Sequence, residues 1–239
     1  MVTAEGMGTA MTTWLMVAAE AREFEGILKR VGDVRALPWQ GAAFSREAVW
    51  KNSRWLLVAN GPGPRLVERA LDRWNDRRID GKHDVDRVLS IGFCGALDPT
   101  LRIGDIVVSG EVPKGLQASF VRGDVVSVDR VAFTAREKSD LRAATGAAVV
   151  EMESAAVAQR ARDWNVPFGC VRVVSDVAGD DLPLDFNRYR DADGRFKRTR
   201  IALAALGRPF TVLPGLVRLD RDCRRAAERL GEFLANCEN

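Results

Sequence analysis

The chain has 239 residues and a mass of 26.3 kDa, with 46% apolar and 29% charged residues. That suffices for one generous domain, or two small ones, and excludes a largely disordered chain. A net charge of +3, from 36 basic and 33 acidic residues, is too balanced for a nucleic-acid binder.

No apolar run approaches the ~18 residues of a membrane-spanning helix. Residues 1–13 carry no basic side chain, and the apolar stretch behind them is short. They read as a flexible extension, not a secretory signal. The spacing of Cys94, Cys170, Cys223 and Cys237 fits neither a zinc site nor a disulfide framework. Reduced thiols in a cytoplasmic protein are expected, with no metal. The one histidine, His83, sits in the polar stretch Asp80-Gly-Lys-His-Asp84. Mechanisms needing two histidines are excluded, and a catalyst here would use carboxylates.

In chain order, Trp14–Ala19 reads as a buried strand, followed by a helix with Phe24, Ile27 and Leu28 at helical spacing. Strands are expected around Trp39, at Ala48–Trp50 and at Arg54–Ala59. Asn60-Gly-Pro-Gly-Pro64 breaks the pattern, and Pro64 suits a helix first turn. Leu66, Ala70, Leu71 and Trp74 continue that helix to about Arg78. Val85–Ile91 is a strand leading into Gly92-Phe-Cys-Gly95, read as a second glycine turn. Leu101–Ser109 turns into another strand. Asp124–Val128 and Ala147–Val150 are further strands, and helices are expected at 135–144 and 153–163. Phe168–Val174 is an apolar strand ending at Ser175. The last third is helical, with a Pro/Gly break near 207–215 and an apolar face of Ala226, Ala227, Leu230, Phe233 and Leu234.

Short apolar runs alternating with helices imply an α/β sheet covered on both faces, in one domain spanning residues 14–239. Ligands in such sheets bind beyond the strand ends. Three motifs lie there. The glycine turns are neither a Walker loop nor a full dinucleotide fingerprint, so each is a tight turn or a place of close ligand approach. Val149-Val-Glu-Met-Glu-Ser154 runs a strand into two carboxylates. Glu151 and Glu153 share a side if extended and diverge if helical, and acids at a helix start are also favoured by its dipole. Val171-Arg-Val-Val-Ser-Asp176 puts Ser175 and Asp176 at a strand end, where the pair would bear chemistry or merely cap a helix.

Taken together, Ala18-Ala-Glu-Ala-Arg-Glu23, Gly61-Pro-Gly63, Ile91-Gly-Phe-Cys-Gly-Ala-Leu-Asp98, Val150-Glu-Met-Glu153 and Val171-Arg-Val-Val-Ser-Asp176 resemble the nucleoside phosphorylase/nucleosidase superfamily. The members concerned are methylthioadenosine/S-adenosylhomocysteine nucleosidases, and the resemblance covers about residues 14–180. The segment from Asp193-Gly-Arg to Leu213-Pro-Gly-Leu-Val-Arg-Leu looks like the tail of hopanoid-associated phosphorylases.

The resemblance implies a central mixed, partly barrel-like sheet flanked by helices. It implies cleavage of a purine N-glycosidic bond without a cofactor. Asp176 would donate a proton toward purine N7, and Glu23 would orient the attacking water. Glu153 would bind the ribose hydroxyls, with Met152 against the sugar. Glu151 and Arg172 would support them, and Ser175, Phe93 and Cys94 would line the site. The base would lie near Val131, Ala132 and Phe133. In this chemistry positive charge builds on the ribose and negative charge on the base, which is what carboxylates and a proton donor stabilise.

Hexameric phosphorylases carry Arg-x-Gly-Ser for phosphate where this chain has Ser90-Ile-Gly-Phe93. Without those donors a phosphate dianion is poorly compensated, which with Glu23 favours water. The expectation is therefore hydrolytic release of adenine from a 5′-substituted adenosine, adenosylhopane being one candidate. The alternative is phosphorolysis with phosphate as co-substrate. A non-catalytic nucleoside-binding or lipid-associated protein is the reading from another class, and the joint presence of Glu23, Glu153 and Asp176 argues against it. The family implies a homodimer or higher oligomer. Residues 186–225 carry 11 Lys/Arg against 4 Asp/Glu, or +7, which leaves −4 elsewhere. That asymmetry suggests peripheral contact with the inner face of a membrane, set against an ordinary solvated helix face.

Overall fold

The computed structural model describes residues 11–75, 78–79, 82–111 and 119–237. Residues 1–10 of the expected N-terminal extension lie outside them, as do Asp80 and Gly81 beside His83. In chain order the elements are β1 (Thr12–Ala18), a 3₁₀ turn (Ala21–Phe24), α1 (Glu25–Leu28), β2 (Gly32–Ala36), β3 (Phe44–Trp50), β4 (Ser53–Ala59), α2 (Pro64–Asn75), β5 (Arg78–Ile79), β6 (Lys82–His83), β7 (Arg87–Ala96), β8 (Ile106–Gly110), β9 (Val121–Arg122), β10 (Val125–Ser127), α3 (Ala135–Thr145), β11 (Val149–Glu151), α4 (Ser154–Asp163), β12 (Phe168–Asp176), α5 (Arg198–Leu206) and α6 (Val212–Ala235).

Ten strands form one mixed sheet in the order β2-β3-β4-β1-β7-β12-β8-β9, with β10 and β11 off that path. β1 lies parallel to β4 and β7, and β12 lies parallel to β7; the outer pairings β2–β3, β3–β4 and β8–β12 are antiparallel. β9 leads within two residues into β10. β10 pairs with β11, which pairs back onto the far end of β7 at Gly95 and Ala96. The circuit β7-β12-β8-β9/β10-β11-β7 therefore closes, which is the barrel-like part of the mixed sheet.

Alternation along the central strands builds a core on each face. Trp14, Met16, Leu57, Leu89 and Val171 point to one side and pack with Phe24 of the 3₁₀ turn, Ile27 of α1, and Leu230 and Phe233 of α6. Leu15, Val17, Leu56, Val58 and Val88 point to the other and meet Val67, Leu71, Val157 and Ala161 from α2 and α4. A strand covered on both faces needs a continuous apolar run, and β1 and β4 have one.

Several local expectations change. β1 starts at Thr12, so residues 12–13 belong to the sheet, and the Thr13 N–H is held 2.7 Å from Asp86 Oδ2. α2 ends by Asn75, and Arg78 pairs with His83 in a small hairpin. Trp39 lies in a loop, its indole N–H on Ala70 O at 2.9 Å. β2 is exposed along its length and carries little periodic signal. In α6, Pro214 and Gly215 sit inside the helix, not in the break. Pro214 falls in the first turn, where a missing N–H leaves no bond unmade.

Candidate active site

Gly92-Phe-Cys-Gly95, expected to be a turn, is instead the second half of β7. The glycines are there for room. A Cβ on Gly92 would overlap Glu23 Oε1 and come 2.9 Å from an Arg172 guanidinium nitrogen. A Cβ on Gly95 would lie 3.0 Å from Asp176 Oδ2. The strand thus lets three charged side chains approach its backbone. The other glycine segment, Asn60–Pro64, is a turn, and its Gly63 N–H donates to Glu153 Oε1 at 2.6 Å.

Glu23 follows β1 in the 3₁₀ turn and is buried. Its carboxylate accepts from the Glu20 N–H and the Phe93 N–H, both at 2.7 Å. Burial nevertheless outweighs those bonds and the attraction of Arg172, and lifts its pKa to about 7. Glu151 ends β11, and Glu153 stands at the entry to α4. The helix-dipole role falls to Glu151: it accepts from the N–H groups of Glu153 and Ser154 at 3.0 and 2.8 Å and from Ser154 Oγ at 2.7 Å. It also accepts from Ser127 Oγ and pairs with Arg172, which donates to Ser90 Oγ at 2.6 Å. Burial opposes the charge on Glu151, but Arg172 and the hydroxyl and N–H donors prevail and hold its pKa below the usual range. Burial likewise opposes the Arg172 charge, and Glu151 overcomes it, so its pKa is raised. Glu153 gets no such partner. Burial first, then the neighbouring Glu151 charge, pushes its pKa to about 8. One buried cation, Arg172, thus faces three buried carboxyl groups: its direct pairing favours the charge on Glu151, while burial favours the protonated forms of Glu23 and Glu153.

Asp176, at the end of β12, has its Oδ1 3.0 Å from Ser175 Oγ, which also lies 3.1 Å from Cys94 O. Its Oδ2 is 2.6 Å from the ammonium of Lys138, a residue of α3 that sequence reading missed. Lys138 is fully buried, and its ammonium also donates to Val177 O at 2.8 Å and Asp180 O at 3.0 Å. Lys138 lies on the same face of α3 as Leu141, which packs against a buried cluster.

Glu23, Glu151, Glu153 and Asp176 meet at one cavity of about 460 Å³, with Met152, Phe93, Cys94, Ser175, Val131 and Ala132 also on its wall. Glu151 is thus a wall residue as well as a support. Arg172 lies behind the wall. Phe133 does not line the cavity: its N–H goes to Glu137 at 2.7 Å, and its carbonyl accepts from the Leu182 N–H at 2.8 Å. The backbone at Val131 is instead pinned by Asn187, whose side-chain amide accepts from Val131 N–H at 2.9 Å and donates to Val131 O at 3.0 Å.

The outer wall comes from the C-terminal third. Phe186, Phe196, Ile201, Leu216 and Leu219 line it, with Arg22 and Arg198 among the polar members. The Arg22 guanidinium lies 5.4 Å from the centre of the Phe93 ring. Beyond this wall Leu203, Leu206, Phe210, Leu213 and Val217 are exposed, Phe210 to 92%. Many nearby arginines have acidic partners, including Arg198 with Glu20 at 3.1 Å and Arg218 with Asp180 at 3.3 Å. Among the described residues no group of His, Cys, Asp and Glu is placed to hold a metal, and no helix is long and apolar enough to cross a membrane.

The sequence pattern of the Phosphorylase superfamily matches residues 111–206. A 5′-methylthioadenosine/S-adenosylhomocysteine nucleosidase of Colwellia psychrerythraea is 29% identical over a match covering 45% of this chain and 63% of that protein, so this chain matches under two thirds of that relative's length. The fold is that of futalosine hydrolase of Helicobacter pylori, with a TM-score of 0.68, 17% identity, and 95% of this chain and 97% of the other covered. It is also similar to the 5′-methylthioadenosine/S-adenosylhomocysteine nucleosidase of Neisseria meningitidis in complex with methylthio-immucillin-A, with a TM-score of 0.67, 20% identity, and 94% and 97% covered. In sequence and in fold, the chain resembles the phosphorylase/nucleosidase superfamily.

Proposed function

We propose that this protein is a purine nucleosidase that hydrolyses the N-glycosidic bond of a 5′-substituted adenosine and releases adenine. The observation that carries the reading is the meeting of Asp176, Glu153 and Glu23 on one cavity, with Glu23 and Glu153 buried. The similarity to nucleosidases supports it. In this reading Asp176 handles the proton at purine N7. Glu153 binds the ribose hydroxyls, and Glu23 takes a proton from the attacking water. Positive charge building on the sugar makes ionisation of both glutamates easier as the bond breaks, so the site becomes more complementary as the transition state is approached. No cofactor is needed.

Phosphorolysis remains the second reading, because Arg22 lines the cavity beside Phe93, where a phosphate dianion would meet a cation. The deciding experiment is product analysis with and without phosphate. Free sugar in both conditions is expected, and a sugar 1-phosphate formed only with phosphate would replace the hydrolase reading.

The apolar outer wall favours a large apolar 5′ substituent, and the exposed apolar residues of α5 and α6 favour peripheral contact with an anionic bilayer. Lipid-length 5′-adenosyl substrates should then have the higher kcat/KM, and the protein should sediment with anionic liposomes at low salt. Preference for short substrates without liposome binding would return the substrate to small adenosine metabolites.

A further inference from the structure

We propose that Lys138 is a positioning residue for the reaction, fixing the Asp176 carboxylate at the cavity wall and acting only through it. The inference rests on the nucleosidase reading above.

The geometry is specific. Lys138 Nζ meets three partners: Asp176 Oδ2 at 2.6 Å, Val177 O at 2.8 Å and Asp180 O at 3.0 Å. A lysine ammonium has three N–H donors and no acceptor, and each donor has a partner here. Two of the partners belong to the segment that follows β12. Lys138 therefore ties the end of that strand, as well as the carboxylate, to α3. The helix itself is anchored by a full capping box, with Thr134 Oγ1 accepting from the Glu137 N–H at 3.1 Å and Glu137 accepting from the Thr134 N–H at 3.1 Å.

Burial makes this more than a surface ion pair. Lys138 is wholly inaccessible, whereas Asp176 reaches the cavity. A buried ammonium is retained only where its partners are well placed. With Oδ2 committed to Lys138 and Oδ1 near Ser175 Oγ, the carboxyl plane has little freedom. A group that exchanges a proton with a base nitrogen must stay within hydrogen-bond reach of it, and small misplacement is costly. Lys138 does not line the cavity, so its effect on the reaction is indirect, and a double-mutant cycle separates transmission through Asp176 from the tie to Val177 and Asp180.

The test is a double-mutant cycle read in steady-state kinetics on an adenine nucleoside. Lys138→Met should lower kcat about 10-fold or more, a share of the ~10²–10⁴-fold that a general acid contributes. KM should change much less. Asp176→Asn should lower kcat further, and Lys138→Met added to Asp176→Asn should cost less than about 2-fold more, because the group it positions is gone. Removing both members of a buried pair is tolerated better than removing one. The comparison of the double variant with Asp176→Asn therefore stands even if Lys138→Met alone does not fold. Multiplying losses, or a Lys138→Met enzyme with unchanged kcat, would overturn the proposal while leaving the nucleosidase reading intact. A wild-type protein that releases no base would remove both.

Discussion

Gly92 and Glu23 occupy one space: the Glu23 carboxylate lies where a side chain on residue 92 would begin. The same absent Cβ leaves room for Arg172, so a glycine in the middle of a strand admits both a candidate base and the cation that balances the buried acids. Gly92 has φ +141°, a conformation L side chains rarely adopt, which adds backbone strain to the overlap.

Gly92→Ala should therefore lose activity and stability together. Overpacking of this kind costs about 1–3 kcal/mol. Urea unfolding should show the loss as a lower midpoint with unchanged slope, and turnover should fall at least 10-fold because Glu23 is displaced. A variant with wild-type turnover would mean that Glu23 has no catalytic placement to lose.

Asp176→Asn should lower kcat by about 10²–10⁴-fold while nucleoside binding persists. It should also lower thermal stability, because the buried ammonium of Lys138 keeps its two carbonyl partners but loses its counter-charge. Calorimetric titration with an uncleavable nucleoside analogue would separate binding from turnover. Near-normal turnover by this variant would remove Asp176 from the reaction.

If Glu23 accepts a proton from water, it works only when ionised. Burial holds its pKa at about 7, so kcat/KM should rise with pH through that region in the free enzyme. Glu23→Gln should abolish the rise and most of the activity. A flat profile from pH 5.5 to 8 in the wild-type protein would count against Glu23 as the base.

The site carboxylates were legible because each follows an apolar run that must be a strand: β12 ends at Asp176, while Glu23 sits in the 3₁₀ turn that follows β1 and Glu153 caps α4 just after β11. Three features were not legible, for physical reasons. A lysine on a short helix reads as solvated, and only the fold shows that α3 lays Lys138 against Asp176. Gly92 and Gly95 read as a turn because glycine weakens strands, whereas here they make room for side chains arriving from the 3₁₀ turn after β1 and from β12. The amphipathic tail shows that one face is covered but not by what, so the use of Ile201, Leu216 and Leu219 as cavity wall depends on long-range packing.

The two raised glutamates also predict how stability depends on pH. Glu23 and Glu153 have folded pKa values of about 7 and 8 against an ordinary 4.5. Below pH 4.5 both are protonated, folded or unfolded, and neither contributes a slope. Between 4.5 and about 8 the unfolded chain has released these protons while the folded chain keeps them. The native state then binds more protons, so the unfolding free energy falls as pH rises, by up to about 1.4 kcal/mol per pH unit for each group. Glu151, Asp98, Glu137 and Glu228 are shifted the other way. Their stabilisation is present above the ordinary carboxylate range and is lost only as pH falls through their lowered values, so they do not oppose the slope above pH 5. Urea midpoints should therefore decline from pH 5.5 to 8. Glu153→Gln cannot ionise and still offers an oxygen to the Gly63 N–H, so its decline should be shallower and its advantage over wild type should grow toward pH 8. Parallel profiles for the two proteins would mean that Glu153 is not carrying a buried proton.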